Sequence, residues 1–322
     1  MEAGKAFVSI RCLAYNQEPY IRQCLDGFLM QKTNFRFEAI VHDDASTDGT
    51  AAIIREYAEK YPDIIKPIFE TENQFSKQDG SLGRIMNEAC KGKYVAICEG
   101  DDYWTDPFKL QKQVEFMEAH PQCSLCCSDA KILECGAFLS WKRYETDCVV
   151  PPEDIIIGGG MWLQTPTFLY RRATYNDYPD CCQKCHVGDF PMILWAALNG
   201  GVFCFSDATA VYRHKREGSW TSKIESLSAS EQLKGWHSEI DMLKGLDVWS
   251  KGLYHDAFKQ RIRAYLWYII EDYRKDARII WKEFSSERRY LSMHQRIQWF
   301  GYAYAPFLCS ISRKLQRMAK KI

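Results

Sequence analysis

Glu99-Gly100-Asp101-Asp102 places three carboxylates within four residues, directly after the apolar run Tyr94-Val95-Ala96-Ile97-Cys98. Carboxylates this close repel one another, so one is held protonated unless a cation neutralises the group. Oxygen ligands suit Mg²⁺ or Mn²⁺, which typically takes few carboxylates and completes its shell with substrate phosphates. A solvated acidic turn is the plainer alternative. A second carboxylate group, Asp43-Asp44-Ala45-Ser46-Thr47-Asp48-Gly49-Thr50, follows Phe37–His42. Two carboxylates at a strand end can accept hydrogen bonds from a base edge or a ribose, while Thr47 or Asp48 also suits an N-cap and Gly49 a turn. Asp189 opens a third segment, Val187–Leu194, where a carboxylate in a first helical turn is favoured by the macrodipole.

The elements that position these groups are legible as an alternation. Strands are expected at 7–14, 37–42, 64–69 and 94–98, and helices after Pro19, at 51–61 and at 82–90. A strand apolar on both faces belongs inside a covered parallel sheet, and such sheets bind ligands at the carboxyl ends of their strands. Strand–helix–strand at this spacing implies an α/β fold with a mainly parallel sheet flanked by helices. Ile155–Gly160 reads as a flexible connection, and 202–206 as a later strand.

The 322 residues suggest a main domain, 1–222, and a helical C-terminal region, 223–322. Lys and Arg balance Asp and Glu at 42 each, so no overall field points to nucleic acid. From 285 to 322, however, eight Lys or Arg face Glu287 alone. Trp299–Leu308 followed by the basic 312–322 reads either as an interfacial anchor on an anionic membrane or as a packed helix with a solvated basic face. The run 253–276 carries Phe258, Ile262, Tyr265, Leu266 and Ile269 at helical spacing, as a core-facing helix does.

The fourteen cysteines, with no apolar leader at the start, suit a reducing cytosol, at the inner face of the plasma membrane if the anchor reading holds. Cys123/Cys126 and Cys182/Cys185 have zinc spacing, but packing is the simpler role; Cys182-Gln183-Lys184-Cys185-His186 matches a haem attachment site only formally. No P-loop and no G-x-G-x-x-G follow the first strand, so phosphates would be met through a metal rather than a glycine cradle.

Taken together, Ser9–Asn16, Val41–Thr50, Gly83-Arg84-Ile85-Met86-Asn87 and Glu99–Trp104 resemble family 2 glycosyltransferases of the GT-A fold, of the bacterial cell-surface polysaccharide type. The resemblance runs from about 7 to 219. It implies donor-binding residues Ala14, Tyr15, Glu18, Asp43, Asp44, Arg84, Glu99, Asp101, Asp102 and Arg213, with Ala14 and Tyr15 at the nucleobase and Asp44 reading a uracil edge beside Asp43. It makes Asp102 the main metal ligand, aided by Asp101. Asp189 becomes the catalytic base, at a motif where Gly188 replaces the usual Glu. Val211–Trp220, with its Tyr-Arg-x-His pattern and Gly218-Ser219-Trp220, resembles a loop closing over the donor; His214 there is a metal ligand, a phosphate donor or a packed histidine. The expected activity is inverting transfer of a sugar from a nucleotide-diphosphate donor, UDP-linked, to a saccharide or lipid-linked saccharide. A sugar-1-phosphate nucleotidyltransferase and a non-catalytic nucleotide-binding scaffold are the rivals.

Overall fold

The computed structural model describes residues 5–139, 142–215, 227–273 and 276–305. The expectations placed on Gly218-Ser219-Trp220 and on the basic residues of 312–322 lie outside these residues, as does the boundary expected at 222/223. The described residues form two compact units: one takes in 5–155, 159–183 and 188–215, the other 156–158, 184–187 and 227–305.

The first unit alternates β1 (Val8–Ala14), α1 (Ile21–Leu29), β2 (Phe37–Asp43), α2 (Thr50–Lys60), β3 (Ile65–Phe69), α3 (Ser81–Ala89) and β4 (Tyr94–Ile97). There follow β5 (Tyr103–Trp104), α4 (Lys109–Ala119), β6 (Leu125–Glu134), β7 (Ala137–Leu139), β8 (Cys148–Val150), α5 (Pro152–Gly158), β9 (Leu169–Arg171), α6 (Asp180–Gln183), α7 (Asp189–Leu198) and β10 (Val202–Arg213). One sheet runs β3-β2-β1-β4-β9-β6-β10-β5, with β7 on β6 and β8 on β10. The long pairings are parallel, β3-β2-β1-β4 and β6-β10, and short antiparallel strands join and edge them. Val8, Ile10, Cys12, Val41, Tyr94, Ala96 and Cys98 are buried with Ile21, Cys24, Leu25 and Phe28 of α1 in one apolar core. The sequence's two-sided apolar strands reflect that position.

Two segments differ from the expectation. Residues 152–158 are helical rather than a flexible connection: Pro152 stands in the first turn with Glu153 and Asp154, and Ile155 and Ile156 are fully buried. Proline suits a first turn and acids favour the positive helix end, so Ile155 and Ile156 mark a buried turn while Ile157 faces out. The expected strand 202–206 continues to Arg213, through irregularities between Phe205 and Ala210. Tyr212 and Arg213 therefore sit on a strand rather than in the expected loop. Parallel pairing with the ten-residue β6 carries the strand past the polar Ser206-Asp207 that masked it.

The second unit contains α8 (Ala229–Trp249), α9 (His255–Asp272), α10 (Ala277–Glu283) and α11 (Met293–Tyr304). Capping boxes start α8 (Ser228 with Glu231) and α11 (Ser292 with Gln295), each satisfying two backbone N–H groups at a helix start. Phe258, Ile262, Tyr265, Leu266 and Ile269 are buried on α9, as their spacing implies. Among the described residues no helix is long and apolar enough to cross a membrane.

Candidate active site

The carboxyl ends of β1, β2 and β4 lie side by side, with Ala14 paired to Asp43. The short strand β5 then turns the acidic segment onto β10, Trp104 opposite Ala210 and Tyr103 opposite Val211. That pairing brings Asp102 to Arg213, whose backbone N–H donates to Asp102 Oδ1 at 2.7 Å. The Arg213 guanidinium donates to the carbonyl of Asp101 and, at 2.5 Å, to Gln23 Oε1. It lies between Tyr103 and Tyr20, 4.7 and 4.9 Å from their ring centres. Behind the turn, Trp104 is fully buried, edge-on to Phe28 at 5.0 Å, and its indole N–H donates to Pro166 O at 2.7 Å. The buried Lys109 ammonium lies 4.3 Å from the Trp104 ring centre.

Charge is concentrated here. Asp102 is buried, and burial together with Asp101 holds its carboxyl well above the usual carboxylate range. Glu99 is half-buried; desolvation and Asp101 push it up to about 7, with Arg11 of β1 opposing the rise and Asp189 adding to it. Glu99 Oε2 is buried with no hydrogen-bond partner in the protein. Asp189, half-buried at the first turn of α7, is raised by desolvation against the N–H of Phe190, which bonds its Oδ1 at 2.8 Å. The Tyr212 phenol feels Asp102, Asp189, Asp101 and Glu99 together and is raised by burial and by all four. The Tyr212 phenol thus lies in the field of all four carboxylates, and Arg213 holds the Asp101 carbonyl and the Asp102 carboxylate. Arg11 is the participant the sequence did not single out; an arginine inside an otherwise apolar strand was the available signal.

A divalent cation fits this donor set: the unpaired Glu99 oxygen and the neighbouring Asp101 and Asp102 are hard oxygen donors whose mutual repulsion a cation relieves. Among the described residues no three His, Cys, Asp or Glu side chains are already grouped for a metal, the two Cys pairs included. His214 stands at the end of β10 with Nδ1 2.8 Å from Glu134 Oε2. With Nδ1–H donating to Glu134, Nε2 is left as an acceptor, the arrangement found in histidine ligands.

The two loops beside β1 and β2 are laced together. Asn16 N donates to Ser46 Oγ at 3.0 Å, Thr47 N to Asn16 Oδ1 at 2.8 Å and Gln17 N to Thr50 Oγ1 at 2.8 Å. Asp44 is buried and accepts from Gln74 N at 2.6 Å and Phe75 N at 3.0 Å, which fixes its carboxylate rigidly. Asp43 Oδ2 accepts from Ser46 N at 3.2 Å, while its Oδ1 is buried without a partner. Glu18 Oε2 accepts from Gly49 N at 2.9 Å, so this carboxylate caps α2. Arg84 is exposed on α3, and its guanidinium is held by the carbonyl of Asp79 at 2.8 Å. Ala14 is buried and Tyr15 half-buried at the end of β1.

Comparison with known proteins places the chain in a family. The glycosyl transferase family 2 model matches residues 9–194, and the chain belongs to that family. It is 38% identical over 228 residues to the uncharacterized protein Rv1520 of Mycobacterium tuberculosis, covering 67% of this chain and 61% of that one. The chain thus spans about 61% of the length of this relative. Residues 1–349 of Staphylococcus aureus TarS, solved with UDP-GlcNAc, superpose with a TM-score of 0.61 at 21% identity over 92% of this chain and 79% of that one. The mannosyltransferase PcManGT of Pyrobaculum calidifontis, solved with GDP-Man and Mn²⁺, gives a TM-score of 0.55 at 17% identity over 96% and 84%. The first unit has the GT-A fold.

Proposed function

We propose that the chain transfers a sugar from a nucleotide-diphosphate donor, UDP-linked, to a hydroxyl of a saccharide or lipid-linked saccharide, with inversion. The observation that carries this reading is the acidic segment Glu99–Asp102, held at the carboxyl end of β4 by the β5–β10 pairing, with Asp189 near enough to raise both Glu99 and Tyr212. The UDP-GlcNAc of TarS and the GDP-Man and Mn²⁺ of PcManGT support the donor class and a divalent metal.

Asp43 and Asp44 receive the base and ribose, Asp43 through its open Oδ1 and Asp44 through the remaining lone pairs of a fixed carboxylate. Ala14 and Tyr15 flank the base, and Arg84 swings from Asp79 to the nucleotide. Asp102, Asp101 and the Nε2 of His214 would hold Mg²⁺ or Mn²⁺, which supplies charge neutralisation at the diphosphate as it leaves. Asp189 takes the proton of the acceptor hydroxyl as that oxygen attacks the anomeric carbon from the face opposite the diphosphate; its raised carboxyl is a stronger base than an ordinary aspartate. One displacement needs no second nucleophile. Gly188 has open space where a Cβ would stand, so Asp189 acts there with no side chain at the preceding position.

The second unit supports an anionic membrane as partner. On α11 the exposed Met293, Ile297, Phe300 and Tyr304 recur every three or four residues, 71, 64, 52 and 41% accessible, while Trp299 and Tyr302 are buried. Arg278 lies over Tyr304 at 5.2 Å and Arg288 over Trp281 at 4.3 Å. Arginines over aromatics beside an apolar stripe match the chemistry of an anionic interface.

Asp189→Asn tests the base assignment. Turnover is expected to fall by about 10³-fold with the donor dissociation constant within about 3-fold of wild type. Donor affinity collapsing together with turnover would overturn the assignment.

A further inference from the structure

At the opposite end of the central strands, a cavity of about 550 Å³ is lined by Lys5, Lys91, Lys93, Arg171 and Arg172, with Phe7 and Asn176. Lys91 and Lys93 precede β4, Arg171 ends the antiparallel β9 and Arg172 follows it, so the sheet register itself gathers them: Tyr94 pairs with Arg171. The acidic cluster follows the other end of β4; six residues of extended chain separate Lys93 from Glu99, roughly 20 Å. The two sites carry opposite charge at opposite ends of the same strands.

The floor of the cavity is built and fixed. Arg171 donates to Met117 O at 2.8 Å, to Tyr94 Oη at 3.0 Å and to Cys123 O at 3.3 Å. These hydrogen-bond partners are neutral, and Glu118, bonded to the Tyr94 hydroxyl, is the acid that shares the Arg171 field. Lys93 and the Tyr94 hydroxyl both meet Glu118 Oε1 at 2.5 Å, and the Lys93 ammonium stands 5.4 Å from the Phe7 ring centre. Arg172 is anchored through Nε to Gly92 O at 3.0 Å. Its Nη groups and the ammonium groups of Lys5 and Lys91 have no acidic partner among the described residues. Among the described residues, Glu118 is the single acid paired to any of the five. Like charges collected around a cavity repel one another, and a polyvalent anion removes that cost. Guanidinium forks and flexible ammonium groups together suit phosphate oxygens.

We propose that this cavity binds a polyvalent phosphate group, a diphosphate or a phosphodiester, at a site separate from the donor site. The proposal stands whether or not the transferase reading does. The group can come from a soluble diphosphate or from a lipid headgroup, which share this chemistry.

Calorimetric titration of the full chain with inorganic pyrophosphate, in EDTA and low salt, tests it. Without metal the four carboxylates at the far end repel bare pyrophosphate, so binding reports on the basic cavity. Wild type is expected to bind at one-to-one stoichiometry, and K91E/R172E about 10-fold or more weakly at an unchanged melting temperature. R172K, which keeps the charge but loses the fork, should fall between them. Repeating the pyrophosphate titration in the presence of phosphatidylglycerol vesicles then identifies the source: loss of pyrophosphate binding to the occupied cavity assigns a lipid headgroup, and unchanged binding assigns a soluble diphosphate. No pyrophosphate binding by wild type, or equal binding by K91E/R172E, would overturn the proposal.

Discussion

Glu99 and Asp189 carry the pH behaviour of the acidic site. Glu99 is held at about 7 against an ordinary 4.5, so the folded chain favours its protonated form. Its contribution to stability is therefore intact below about pH 4.5 and declines as pH rises towards 7. In metal-free buffer Glu99→Gln should match wild type near pH 4.5 and exceed it by on the order of 2 kcal/mol above pH 7, read from denaturant midpoints. A difference independent of pH would mean that Glu99 does not titrate in this range. For Asp189 the raised carboxyl moves the acid limb of the rate profile above the ordinary 3.8, so kcat/KM should fall on acidification well before an unperturbed aspartate would lose its charge. The carboxylates were legible in the sequence because three acids follow a buried strand. Their partners were less so: Arg11, Tyr212 and Glu134 reach the site through strand pairing across more than seventy residues of chain, which no local pattern encodes.

The elements that position these groups rest on close contacts. A Cβ on Gly100 would stand 2.4 Å from Gln17 Oε1 and 2.8 Å from Ile21 Cδ1, where only the backbone fits beneath α1. Gly100→Ala should therefore cost about 1–3 kcal/mol and lower the melting temperature, as overpacking of a filled site does. An unchanged melting temperature would show that Gln17 yields without cost. The alternation of strands and helices up to β4 was readable because parallel strands are apolar on both faces and their helices carry one apolar stripe. The reading failed where those periodicities are interrupted. Three isoleucines before three glycines concealed α5, and Ser206-Asp207 concealed the continuation of β10, whose pairing with β6 is long-range. Glu18 belongs to the same lesson, since its carboxylate caps α2 and its role as a cap depends on a neighbouring loop.

For the whole molecule, the GT-A fold and membership of glycosyl transferase family 2 agree with the order of motifs along the chain. The C-terminal unit has no such motif, and its composition left open an anchor or a packed helix. α11 has both a buried side, Trp299 and Tyr302, and an exposed apolar one. Ile297→Ser with Phe300→Ser should abolish sedimentation with phosphatidylglycerol vesicles while leaving the fold intact, and undiminished sedimentation would remove the membrane from this face. The central claim is that the acidic strand end is a metal-assisted donor site. Its most direct measurement is nucleotide release from a panel of UDP-, GDP- and dTDP-sugars, with and without Mn²⁺, by wild type and Asp102→Ala. Slow, Mn²⁺-dependent release of one nucleoside diphosphate, lost in Asp102→Ala, is the predicted result. Binding of no nucleotide at all would make the acidic cluster structural, and pyrophosphate among the products would make the chain a nucleotidyltransferase.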